Sequence, residues 1–81
     1  MEKFTAVFEQ EGKWWIGFVE ELPGANTQGK TLEEAHENLK EAVRLTIQAN
    51  RRLSRRETRG KKITREELAV SVRQWLNSIL Q

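Results

Sequence analysis

The chain has no cysteine and no tyrosine, with a single histidine and a single proline. Without cysteine it can form neither a disulfide staple nor a thiolate metal site, and one histidine cannot build an imidazole cage. Aspartate is absent as well, so all 12 acidic residues are glutamates. Two-metal phosphoryl chemistry needs several carboxylates converging on cations, whereas these glutamates fall where solvated helix and strand edges are expected. This argues against a metal nuclease, and no metal or cofactor is expected. No apolar run approaches the roughly 18 residues of a membrane span, and Met1-Glu2-Lys3-Phe4 does not open a signal segment. The expectation is a soluble, cytoplasmic protein.

The 81 residues suffice for one small domain, whose core typically supplies only roughly 3 to 5 kcal/mol. With disulfides and metals excluded, association with further copies, as a dimer or a tetramer, is the common remedy. The net charge of +2 hides an asymmetry. Residues 1–50 carry nine glutamates against five basic residues, a balance of −4, while the remainder carries nine basic residues against three glutamates, a balance of +6. The positive charge concentrates in Arg51, Arg52, Arg55, Arg56, Arg59, Lys61, Lys62 and Arg65, a density suited to phosphate or an acidic protein. The amino-terminal part suits a basic partner.

Residues 3–9 alternate, with Phe4, Ala6 and Phe8 on one face and Thr5, Val7 and Glu9 on the other, which predicts a strand with one buried face. Gln10-Glu11-Gly12 reads as a three-residue hairpin loop, returning Lys13–Val19 antiparallel. Trp14, Ile16 and Phe18 share one face of this second strand and Trp15, Gly17 and Val19 the other, so it is apolar on both sides and expected to be central or covered. Leu22-Pro23-Gly24 predicts a turn, because proline cannot donate a ladder hydrogen bond and glycine tolerates positive φ. A short third strand is expected over Ala25–Gln28.

Thr31 followed by Glu34 has the spacing of a capping box and predicts a helix start. Leu32, Ala35, Leu39, Ala42, Val43 and Ile47 then recur every three or four residues, as one buried helical face requires. No firm stop precedes Gly60, and Arg51, Arg55 and Arg59 fall on one helical face. After Ile63 two readings compete. Leu68, Val70 and Val72 alternate like a strand, while Thr64 with Glu67 forms another capping box ahead of Leu68, Val72, Trp75, Leu76 and Ile79 at helical spacing.

Three features invite functional readings. His36 lies between Leu32 and Leu39 on the helix, but a general base needs a positioned nucleophile, and the serines are Ser54, Ser71 and Ser78, all in basic or terminal segments. No catalytic residue is assigned, and the chain is not expected to be an enzyme. Trp14 and Trp15 are adjacent on a strand and point to opposite faces, so one anchors the helix and the other is covered at an oligomer interface or presented to a partner. The arginine cluster is the strongest nucleic-acid signal, since cations on one helical face release counterions from phosphates; a solvated loop is the plain alternative. It lacks interleaved aromatics for base stacking.

The order Phe4-Thr5-Ala6-Val7-Phe8, Gly12-Lys13-Trp14-Trp15-Ile16-Gly17, Glu21-Leu22-Pro23-Gly24, Thr27-Gln28-Gly29 and Thr31-Leu32-Glu33-Glu34-Ala35 resembles the HicB-like antitoxin family. The likeness covers roughly residues 3–50 and extends to a strand near 68–72. It implies an α+β domain of β-β-β-α-β order, a partial RNase H-like arrangement without nuclease carboxylates. On that pattern residues 66–72 are expected to be a fourth strand and 73–80 a short helix, within a single domain spanning 1–81. That domain divides into a core of 3–50 plus the strand, a basic segment 51–65, and an extension 73–81.

The resemblance further implies binding and occlusion of a small HicA-type mRNA-cleaving toxin, with no bond made or broken. Trp15, Glu20, Glu21, Asn26 and Gln28 are the expected contacts. Family members often append a DNA-binding module, for which too few residues remain after the fourth strand. The alternative reading is a nucleic-acid-binding transcriptional regulator using Arg51, Arg52, Arg55 and Arg56.

Overall fold

A computed structural model describes residues 3–70. Alternating apolar residues and three turns arrange them as β1 (Ala6–Glu11), β2 (Trp14–Val19), β3 (Asn26–Gly29) and α1 (Leu32–Thr58). The strands form one antiparallel sheet in the order β1-β2-β3, with β2 central. The class is therefore α+β, a three-stranded sheet with one long helix on it. Strand parity follows the sequence, but the hairpin loop is shorter than the expected three residues. Glu11 pairs with Trp14, leaving only Gly12 and Lys13 in the turn. Gly12 has φ 58° while Lys13 is not among the positive-φ residues, the φ signs of a II′ turn, whose twist matches that of the flanking strands.

The second connection follows from Pro23 and Gly24. The Ala25 amide donates to the Leu22 carbonyl at 3.1 Å, and Gly24 has φ 95°, with proline and glycine at the two central positions that a type II turn favours. The Thr5 amide and hydroxyl donate to the two carboxylate oxygens of Glu21 at 2.7 and 2.6 Å, tying the entry of β1 to this turn.

Thr31 caps α1 as its spacing predicts: its hydroxyl accepts from the Glu34 amide at 3.0 Å. The buried apolar core is small, consisting of Val19, Ala25, Ala35 and Leu39, with Phe8, Leu22, Ala42 and Val43 partly buried around it. The helix lies over β2 and β3 and is offset from β1. That offset explains why Leu32, expected in the core, stays 41% exposed. It sits one turn before His36, on the stripe that turns toward β1 instead of the covered strands.

Close approach of helix and sheet depends on two glycines. A Cβ on Gly29 would lie 2.6 Å from the Ala35 amide nitrogen, and one on Gly17 would lie 2.8 Å from the Phe8 ring and 3.6 Å from Leu39. Both positions mark where a side chain would hold the layers apart.

At 27 residues, α1 is roughly 40 Å long, about twice the length of a six-residue strand. Its second half extends past the sheet, and the radius of gyration is 16.6 Å against roughly 12 Å for a compact chain of this length. The helix ends at Thr58, with Gly60 at φ 77° turning the chain out. The expected fourth strand does not form over 66–70, which run irregular and exposed without a ladder partner. Its remaining positions, 71 and 72, and the expected helix over 73–80 lie outside the described residues.

Candidate functional site

Because α1 covers one side of the sheet, strand parity decides which residues remain outside. Gly17 and Val19 are buried beneath the helix, so Trp15 shares their side and is half-buried. Trp14, Ile16 and Phe18 point the other way. Trp14 and Phe18 are 42% and 43% exposed on a face that the chain's own helix leaves bare. The pairings Val7↔Phe18, Glu9↔Ile16 and Glu11↔Trp14 on one flank, and Phe18↔Asn26 and Ile16↔Gln28 on the other, set the surroundings of this stripe. The result is an apolar ridge along β2 with Val7 beside it, bordered by Glu9 and Glu11 on β1 and by Asn26 and Gln28 on β3. An apolar centre inside a polar rim is the usual anatomy of a protein-binding patch.

The expected contact residues are thus divided. Asn26 and Gln28 lie on the open face, beside Phe18 and Ile16. Trp15 lies on the opposite, helix-bearing side, separated from them by the thickness of the sheet. Glu20 is exposed in the turn after β2, where its amide donates to the Thr5 carbonyl at 3.0 Å. Glu21 is engaged internally: the hydrogen bonds from the Thr5 hydroxyl and amide hold its carboxyl below the ordinary glutamate value.

The sequence left open which of Trp14 and Trp15 faces outward, and the expected contacts took Trp15 and omitted Trp14, Ile16 and Phe18. The signal that distinguishes the two tryptophans is Gly17, since a glycine within a strand marks close approach and assigns the Trp15-Gly17-Val19 set to the helix.

His36 stacks on Phe8 with ring centroids 5.9 Å apart, and its Nδ1 lies 3.7 Å from a Glu37 oxygen. No hydroxyl or thiol nucleophile accompanies it in these contacts. Glu37 also accepts from the Lys40 ammonium at 3.1 Å, which with the charge of Lys40 lowers its pKa. Among the described residues, no group of three histidine, cysteine or acidic side chains is placed to hold a metal ion, and no helix is long and apolar enough to cross a membrane.

Arg51, Arg52, Arg55 and Arg56 all lie exposed on the part of α1 that extends past the sheet. Arg51 and Arg55, one turn apart, border shallow surfaces shared with Gln48 and Arg52 on one side and with Asn50, Ser54 and Arg65 on the other. Arg65 returns toward the helix end, its guanidinium donating to the Thr58 hydroxyl at 3.3 Å. The ion pairs among the described residues, His36–Glu37, Lys40–Glu37 and Arg44–Glu41, include none of these arginines.

The chain is similar to a UPF0150 protein of Thermotoga maritima, 43% identical over 47 residues that make up 56% of this chain and 63% of the relative. It is also similar to a UPF0150 protein of Synechocystis, 40% identical over 48 residues, 57% of this chain and 65% of the relative. The matched stretch thus spans less than two thirds of the length of these curated relatives. No family profile matches the chain, and no solved structure matches it significantly.

Proposed function

We propose that the chain is an antitoxin-like binding module that covers a small, basic HicA-type mRNA-cleaving toxin and inhibits it by occlusion. The observation that carries this reading is the bare face of the sheet, where Trp14, Ile16 and Phe18 form an apolar ridge between Glu9 and Glu11 on one side and Asn26 and Gln28 on the other. Large aromatic side chains at the centre of a patch are the usual carriers of binding energy. The carboxylates at its border suit a cationic partner and speed its encounter. Similarity to UPF0150 proteins, a family related to HicB-like antitoxins, runs in the same direction. So does the order of three strands and a helix, which matches the first four elements of the partial RNase H-like arrangement.

The test is calorimetry with any small basic protein encoded beside this gene. Trp14→Ala and Phe18→Ala are each expected to weaken binding by about 2 kcal/mol or more, roughly thirtyfold, with the fold intact by circular dichroism. Binding unchanged by both substitutions would remove the sheet face as the site.

A second reading, a nucleic-acid-binding regulator, draws on the exposed arginines of the overhanging helix. Arg51, Arg52, Arg55 and Arg56 would contact phosphates along a duplex, with affinity falling steeply as salt rises. Replacing all four by glutamine is expected to abolish duplex retention in a mobility-shift assay; retention at the wild-type level eliminates this reading.

A further inference from the structure

The sheet is unfinished along one edge. Among the described residues, β1 has β2 on one side and no strand on the other, leaving a row of backbone donors and acceptors open to pairing. The other outer edge, on β3, is only four residues long and is partly closed by α1, where the Asn38 side-chain amide donates to the Gln28 carbonyl at 3.1 Å. Beside β1, the offset of the helix leaves an open groove of about 630 Å³. Core residues Val19 and Leu39 line it together with Phe4, Ala6, Phe8 and Val43, and Lys40 and Arg44 are the cations along it.

The same chain carries a segment that matches this vacancy in shape and chemistry. Residues 62–70 run without regular structure and are exposed throughout, with Leu68 85% and Val70 68% exposed. Two apolar side chains two residues apart stand on one side of an extended chain, together with Glu66, while Arg65, Glu67 and Ala69 stand on the other. The hydrogen bonds that fix the exit of this segment return to the end of α1: the Lys61 amide to the Thr58 carbonyl at 3.0 Å and the Arg65 guanidinium to the Thr58 hydroxyl at 3.3 Å. The segment therefore starts from the end of the helix that extends past the sheet, and nine extended residues reach roughly 30 Å from there.

We propose that residues 62–70 of one copy add as a strand to the outer edge of β1 in a second copy, with Leu68 and Val70 seated in the groove between β1 and α1. Strand addition supplies main-chain hydrogen bonds to the open edge, and the alternate side chains supply the fit. Glu66, on the groove-facing side, meets a surface carrying Lys40 and Arg44. Reciprocal exchange closes the pair with twofold symmetry and covers the β1 edge of both copies. The contact lies at the edge of β1, apart from the open face of Trp14, Ile16 and Phe18, so it stands independently of the toxin-binding reading.

Light scattering on the full chain, with a Leu68→Glu, Val70→Glu double variant beside it, tests this directly. The wild type is expected at twice the 9.5 kDa chain mass or a multiple of that. The variant, whose changes fall at positions already exposed in the single chain, is expected as a monomer with unchanged helical dichroism. A monomeric wild type, or a variant that keeps the wild-type mass, overturns the proposal. Because the chain has no cysteine, Glu9→Cys and Glu67→Cys chains can be mixed and oxidised to separate exchange from docking within one chain. A disulfide-linked heterodimer is expected. A Glu9→Cys, Glu67→Cys double variant that oxidises only to a monomer overturns exchange in favour of internal docking.

Discussion

At the scale of single residues, the two glycines between sheet and helix differ in what a side chain would meet. A Cβ on Gly29 meets the backbone of Ala35 and Glu34, which cannot turn aside, whereas one on Gly17 meets the edge of the Phe8 ring, which borders an open groove and has room to shift. Overpacking of this kind costs about 1 to 3 kcal/mol. Gly29→Ala is accordingly expected near the upper end and Gly17→Ala near the lower, as read by urea denaturation; equal losses would show that the Phe8 ring is held as firmly as the backbone. Glu21 gives a pH dependence of definite sign. Its pKa is lowered in the folded chain by the Thr5 hydroxyl and then the Thr5 amide, so the unfolded state binds more protons as pH falls through the acid range. The stabilisation is present above the ordinary glutamate value of about 4.3 and is lost as pH drops through the lowered folded value. Glu21→Gln should flatten that part of the stability profile, and an unaltered acid limb would mean that the Thr5 contact contributes nothing. The division between Trp14 and Trp15 was legible only in part. Their opposite directions follow from strand geometry, but which one meets the helix depends on Gly17, whose meaning emerges once the helix is seen against it.

At the scale of elements, the local signals that carried chemical detail survived best. The Thr31 cap, the Pro23-Gly24 turn and the parity of β1 and β2 all follow from side-chain chemistry within a few residues. Thr31→Ala is expected to cost about 0.5 to 2 kcal/mol, measured by thermal unfolding; no loss would show that the first turn is held by packing against β3 alone. The elements whose extent depends on tertiary partners were less legible. The hairpin loop shifted to Gly12 and Lys13 because the ladder claims both Gln10 and Glu11, which as a sequence read equally well as loop. Residues 66–70 alternate like a strand, yet alternation expresses only a capacity for pairing, and among the described residues no strand pairs with them. The helical stop at Thr58 is set by the turn at Gly60, since the arginines before it are good helix formers.

At the scale of the whole molecule, the chain divides its chemistry between two ends. The sheet end presents aromatic residues among carboxylates, and the overhanging helix presents arginines that form no ion pair among the described residues. If the sheet face meets a cationic protein, the rate of association should fall as salt rises while dissociation changes little, because border charges act mainly on encounter. Stopped-flow association at increasing sodium chloride checks this, and salt-independent association would assign the energy to the apolar ridge alone. The candidate surface was legible in the sequence as a set of types, tryptophan with glutamate and amide side chains, but its membership required knowing which side the helix covers.

The central claim is that the chain acts by shielding another molecule through the face bearing Trp14, Ile16 and Phe18. The most direct measurement is cleavage of a defined mRNA by a HicA-type toxin, taken from any small basic protein encoded beside this gene, titrated with the chain. Cleavage is expected to cease at a fixed stoichiometry with the wild type and to persist with a Trp14→Ala, Phe18→Ala variant. Undiminished cleavage at saturating wild-type chain would contradict the account.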